Sequence, residues 1–167
     1  MKLAIDVYYY NDKAKSVGGL FNDWEDQAPT KIISTNSYDI LEYESGSFYK
    51  RELPCILDLL KQVDKPNIDT IIIDGYVYLN DEGKGGLGYF LYQQLDRQIP
   101  IIGVAKKAFY NNDIFVDKIY RGESLSPLYI TSIGVDLNEA SINIKNMAGK
   151  YRIPNILKIV DQQTKVE

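Results

Sequence analysis

The chain has 167 residues, 45% of them hydrophobic, with 19 Lys and Arg against 23 Asp and Glu, a formal charge of −4. That length suits one folding unit around one sizeable core, and the acidic balance excludes a general electrostatic grip on nucleic acid while leaving room for a local one. Histidine is absent, which rules out Ser-His-Asp and Cys-His catalysis and His-ligated zinc, so acid-base or metal chemistry falls to carboxylates, Lys, Tyr or the lone Cys55.

In chain order, "KLAIDVYYY" reads as a first strand, β-branched and aromatic around Asp6, and "KSVGGLFNDW" and "KIISTN" read as its partners. Three strands in succession without a helix imply antiparallel pairing. From Phe48 to Val63 the apolar positions Leu53, Ile56, Leu57, Leu60 and Val63 recur at helical steps. Pro54 is tolerated there if the helix starts near Arg51. "IDTIIID" is an apolar run ending on Asp74, as in a strand buried on both faces. "GLGYFLYQQLDRQ" is helical in pattern and "IPIIGVAK" is another buried strand, closing on Lys106, so the trio predicts a parallel, right-handed crossover. "LSPLYITSI" is a further strand, Asp136 with Glu139 starts a helix from Leu137 to about Met147, and "KYRIPNILKIVDQQ" closes the chain as a segment of undetermined type. The sum is an α/β fold, a mixed sheet with an antiparallel start and a parallel centre flanked by helices, as one domain over 1–167. No apolar run reaches the roughly 20 residues of a membrane span, and the longest, around Ile99 to Ala105, contains Pro100. One cysteine and no charged-then-apolar leader make a cytoplasmic monomer, with no membrane partner, the expectation.

Ligands of open α/β sheets gather beyond the carboxyl ends of the parallel strands, where Asp74 and Lys106 both fall. Asp6 interrupts an apolar strand, and a carboxylate there needs a partner or a cation. Glu52 lies in a first helical turn, where the helix dipole alone would favour an acid. Together the three carboxylates suit hard Mg²⁺ or Mn²⁺. The matching chemistry is metal-assisted phosphodiester hydrolysis, with an ion on Asp6 and Asp74, Glu52 positioning a water or a second ion, and Lys106 stabilising phosphate charge. The plain alternative is a strand-end Asp in a turn, a dipole-matched Glu and a solvated Lys. Lys50, Arg51, Lys84, Lys106, Lys107 and Lys118 offer a local basic rim. Gly83, Gly85, Gly86 and Gly88 either let a backbone approach a base or form a flexible turn.

The stretches "YESGSFYKRE", "IIIDGYV" and "IPIIGVAKK", followed by "PLYITSIG" and "KYRIPNILKIVD", resemble the endonuclease V family, of ribonuclease-H-like fold, in order over most of the chain. The resemblance implies metal-binding carboxylates at Asp6, Glu52 and Asp74, a phosphate-contacting Lys106, and a strand-separating wedge at Tyr43 with Gly46 and Lys107 as further nucleic-acid contacts. It implies Mg²⁺ or Mn²⁺ as cofactor, DNA or RNA as partner, and cleavage of the second phosphodiester 3′ of an inosine, a mispaired base being cheap to unstack. The chain departs from the pattern at Ser45, where the family has Pro. It departs again in "DGYVYLNDEGKGGLG", which brings Asp81 and Glu82 where the family has basic and imidazole groups. In a third place, Gly134-Val135-Asp136 replaces a turn whose histidine stands near the metals. A nuclease with a changed nucleic-acid substrate and a non-catalytic binding or interaction protein of the same fold remain as alternatives.

Overall fold

The structure, a computed structural model, describes residues 1–40, 42, 47 and 49–167. Strands β1 (Lys2–Tyr9), β2 (Ala14–Phe21) and β3 (Lys31–Ser37) form an antiparallel meander. After them come α1 (Tyr49–Leu60), β4 (Thr70–Asp74), α2 (Leu87–Gln94) and β5 (Ile101–Ala105). The chain ends with β6 (Asp117–Ile119), β7 (Leu128–Ile133), α3 (Leu137–Lys145) and α4 (Asn155–Thr164). The sheet order is β3-β2-β1-β4-β5-β7-β6. Strands β1, β4 and β5 run parallel at its centre, as expected. The sheet turns antiparallel again through β7 and β6, and the three residues of β6 are too few to show a period in sequence.

The two-residue alternation of the strands sorts their side chains into two cores. Leu3, Ile5, Ile71 and Ile73 pack on one face with Ile56 and Leu59 of α1 and Leu87 and Leu91 of α2. Ala4 and Ile72 pack on the other with Ala140 and Ile144 of α3 and Ile156 and Val160 of α4. Strands buried on both faces are what the continuous apolar runs demand. Helix α1 starts at Tyr49, two residues before Arg51, and holds Pro54 in its second turn. Helix α3 is capped as expected, with the Glu139 N–H donating to Asp136 Oδ2 at 3.2 Å, and it ends at Lys145.

The closing segment is the helix α4, and two arginines moor it. Arg121, 5% exposed, donates to the carbonyls of Lys145, Met147, Gly149, Tyr151 and Arg152, gathering the turn between α3 and α4. Arg152 then donates to the carbonyls of Lys106 and Pro127, tying that turn to the end of β5. Among the described residues, no helix is long and apolar enough to cross a membrane.

Candidate active site

The parallel register builds the site. Ile5 of β1 pairs with Ile73 of β4, so Asp6 and Asp74 are the next residues along on neighbouring strands. Asp74 stands level with Val104 of β5, and two residues on, Lys106 places its Nζ 3.7 Å from Asp74 Oδ2. The first turn of α1 brings Glu52 from one face of the sheet, and α4 brings Asp161 from the other. A cleft of about 610 Å³ opens over this end, lined by Asp6, Glu52, Asp74, Lys106 and Lys107 and walled by Tyr9, Tyr49, Tyr76 and Phe109. A smaller hollow on the α4 side is lined by Asp6, Asp74, Lys106 and Asp161.

Three of these carboxyls are held above their ordinary range. Glu52 is 6% exposed, and its Oε2 is buried without a hydrogen-bond partner. Burial, and then the charges of Asp6 and Asp74, push it up to about 8. Asp6 is raised by burial, by the charge of Asp74 and by a hydrogen bond with Asp161, against the Val7 N–H that donates to its Oδ1 at 2.9 Å. For Asp74, burial outweighs the neighbouring Lys106, and the charge of Asp161 adds to it. Asp161 moves the other way: burial would raise it, but hydrogen bonds with Asp6 and Lys165 and the cations Lys106 and Lys165 hold it low. Asp6 and Asp161 therefore shift in opposite directions, Asp6 up and Asp161 down.

The four carboxyls outnumber the cations beside them, Lys106 at Asp74 and Lys165 at Asp161. Among the described residues, no three His, Cys, Asp or Glu side chains form a ready-made group around an ion. The carboxylates of Asp6, Glu52 and Asp74 line one cleft. The all-oxygen donor set and the orphaned Glu52 Oε2 fit a hard divalent cation.

The structure thus brings together Asp6, Glu52, Asp74 and Lys106, and it sets Lys107 on the cleft wall with an exposed side chain. Tyr43 and Gly46 lie outside the described residues. The Gly134-Val135-Asp136 turn is not near the carboxylates. Because β7 runs antiparallel to β5, Ile133 pairs with Ile101 at the start of β5, and Gly134 sits against Tyr92 and Pro100 at the far end. Asp81 is engaged elsewhere, its Oδ1 accepting the N–H groups of Asp113 and Ile114 at 2.6 and 2.7 Å. Arg51 is drawn from the rim, its guanidinium 3.6 Å over the Tyr9 ring. Gly86 and Gly88 serve close packing, since a Cβ would meet the Tyr76 carbonyl and Val77 Cγ2 at 2.7 Å. Asp161 was not anticipated. Its signal was the spacing of Ile153, Ile156, Leu157 and Val160, a helical stripe with an acid directly after it.

No family model matches the chain. It is 31% identical over 166 residues, 96% of its length, to a bifunctional methyltransferase/endonuclease of Picrophilus torridus, and it spans 52% of that relative. Among solved structures it superposes on Ciona intestinalis endonuclease V in complex with a 24mer DNA containing an inosine followed by a ribo-adenosine. That match has a TM-score of 0.81 and 17% identity, and covers 98% of this chain and 84% of the other. The catalytic domain of human endonuclease V gives 0.74 and 20%, covering 98% and 80%. Endonuclease V of Streptomyces avermitilis gives 0.73 and 20%, covering 98% and 78%. The resemblance carried by the motifs at Glu52, Asp74 and Lys106 is met by the architecture beneath them: the chain has the endonuclease V fold.

Proposed function

We propose that this chain is a metal-dependent endonuclease of the endonuclease V family, hydrolysing phosphodiester bonds 3′ of inosine in DNA or RNA. The observation that carries the reading is Glu52 Oε2, buried without a partner in a cleft shared with Asp6, Asp74 and Lys106. Asp6, Glu52, Asp74 and the newly placed Asp161 would hold Mg²⁺ or Mn²⁺. When bound, the ion offsets charge on the scissile phosphate and lowers the pKa of water near it. Lys106, released from Asp74, turns its ammonium to a phosphate oxygen. Tyr9, Tyr76 and Phe109 form an apolar wall on which a displaced base would rest. Asp6, Glu52 and Asp74 carry the chemistry in this reading, with Lys106 as the phosphate contact and a cytoplasmic monomer as the working form.

A second reading keeps the chemistry and changes the strand. It is favoured by Tyr76, whose buried ring fills the position after Asp74-Gly75 and whose hydroxyl is committed to the Lys107 carbonyl at 2.6 Å. One assay separates the two. Purified protein with Mg²⁺ or Mn²⁺ is incubated with end-labelled DNA and RNA carrying a single inosine, beside undamaged strands and an Asp74→Ala control. A product cut 3′ of the inosine and absent with Asp74→Ala is expected. Cutting without preference for inosine would favour the second reading, and no cutting of any strand with either ion would sink both.

A further inference from the structure

We propose that the loop from Lys106 to Phe115 is a stacking platform, on which Phe109 and Tyr110 receive unpaired bases of a nucleic acid strand while Lys107 holds an adjoining phosphate. The inference rests on the nuclease reading of the cleft and extends it to the strand beyond the cut. Tyr110 is 92% exposed and Phe109 45%, two consecutive aromatic side chains open to solvent. Phe109 lines the cleft, and Tyr110 follows it in the chain with its side chain exposed. Exposed apolar surface of that kind, continuous with a binding cleft, marks contact with a partner.

The backbone on both sides of those rings is anchored. Asp81 accepts the N–H groups of Asp113 and Ile114, and its own N–H donates to the Asn111 carbonyl at 2.9 Å. Asn112, buried, donates to the Tyr78 carbonyl at 2.9 Å. At the near end the Tyr76 hydroxyl donates to the Lys107 carbonyl, and the Tyr76 ring meets Phe109 edge to face at 5.8 Å. Both ends of the segment are therefore anchored to the loop after β4, so little ordering entropy is left to lose on binding. The residues just before the rings supply the sign of the partner. Lys106 and Lys107 are exposed cations on the same wall, and cations followed by aromatic faces along a groove are the pattern that grips single strands, backbone by charge and bases by stacking.

The test is fluorescence anisotropy with the full chain and short labelled single strands of DNA and of RNA. Ca²⁺ replaces Mg²⁺, and the strands are checked to be intact afterwards. Tyr110→Ala is expected to weaken binding roughly 5- to 100-fold, the effect of one lost base stack. Tyr110→Trp should bind at least as tightly as the wild type. Tyr110→Leu, apolar but without a ring face, should bind like Tyr110→Ala. A strand of abasic nucleotides should bind the wild type and Tyr110→Ala alike. Unchanged melting temperatures will show that all three variants fold, as the exposure of Tyr110 requires. The proposal is overturned if Tyr110→Ala binds like the wild type, if Tyr110→Leu matches Tyr110→Trp, or if the wild type binds no strand of either kind. Its failure is distinct from that of the nuclease reading. A wild type that binds by stacking but cuts nothing in Mg²⁺ sinks only the latter, and a Tyr110→Ala protein that binds and cuts as well as the wild type sinks only the former.

Discussion

At Glu52 the helix dipole and burial act on one carboxyl in opposite directions. A glutamate in a first helical turn is satisfied by the helix dipole, yet α1 turns this one inward, where burial and the charges of Asp6 and Asp74 push it up to about 8 from an ordinary 4.5. The sign of the consequence is fixed. A carboxyl that holds its proton more tightly when folded contributes stability that is complete below its unfolded pKa and is lost as pH rises toward the folded one. In EDTA, the urea midpoint of the wild type is expected to fall between about pH 4.5 and 8, this group adding up to about 1.4 kcal/mol of loss per pH unit. Glu52→Gln has no proton to lose and should show a shallower fall, being the more stable of the two at pH 8. Mg²⁺ should then raise the midpoint of the wild type at pH 8 and raise that of Glu52→Gln much less. Equal pH slopes for the two proteins would show that Glu52 is not buried as described.

Between elements, the sheet places the carboxylates and the loops after β4 and β5 wall the cleft beside them. The segments after β4 and β5 are clasped through Asp81 and Asn112, and the Phe115 ring lies 4.8 Å from that of Tyr78. Asp81→Ala is expected to lower stability by about 1 kcal/mol, the worth of a side chain capping backbone N–H groups, and Asp81→Asn by less because it keeps an acceptor. Hydrogen exchange should quicken at Asp113 and Ile114 in Asp81→Ala alone, and unchanged exchange there would remove the clasp. The clasp was not legible in the sequence, where Asp81 read only as a misplaced charge, because a hydrogen bond over about thirty residues leaves no local pattern. Elements with a period or a cap were legible: the stripe of α1, the Asp136 and Glu139 pair of α3, and the apolar runs of β4 and β5. Helix α4 had its stripe, but Pro154 opens it without a side-chain cap, so the usual start signal was missing and Asp161 went unplaced with it. The carboxylates of the parallel strands were legible for two other reasons: an acid within an apolar strand, as Asp6 is, needs a partner or a cation, and ligands of open α/β sheets gather at the carboxyl ends, where Asp74 falls. Which end of the sheet the Gly134 turn occupies depends on the direction of β7, and that is decided only by pairing.

For the molecule as a whole, a net charge of −4 opposes the approach of a polyanion, so any grip must be local. The carboxylates of the cleft oppose it as well until a cation fills them. Lys106 and Lys107 on the cleft wall, with Lys84 exposed on the clasped loop, are the cations within that reach, and each phosphate neutralised on a single strand contributes about −0.7 to the slope of log K against log salt. Two or three contacts give an expected slope of about −1.4 to −2.1, measured by anisotropy across a KCl series. A divalent ion should tighten binding at constant ionic strength, because it offsets the carboxylates of the cleft floor directly rather than screening them. That gain should vanish in Asp6→Ala, whereas a basic surface elsewhere would leave it intact. A slope of about −5 or steeper would mean that such a surface exists and that the cleft is not what holds the strand. The shallow slope has a functional consequence. A protein that binds phosphates weakly and adds its affinity through stacked rings and a filled carboxylate site spends little time on intact duplex, whose bases are hidden. It stays longest where a base already stands free of its stack.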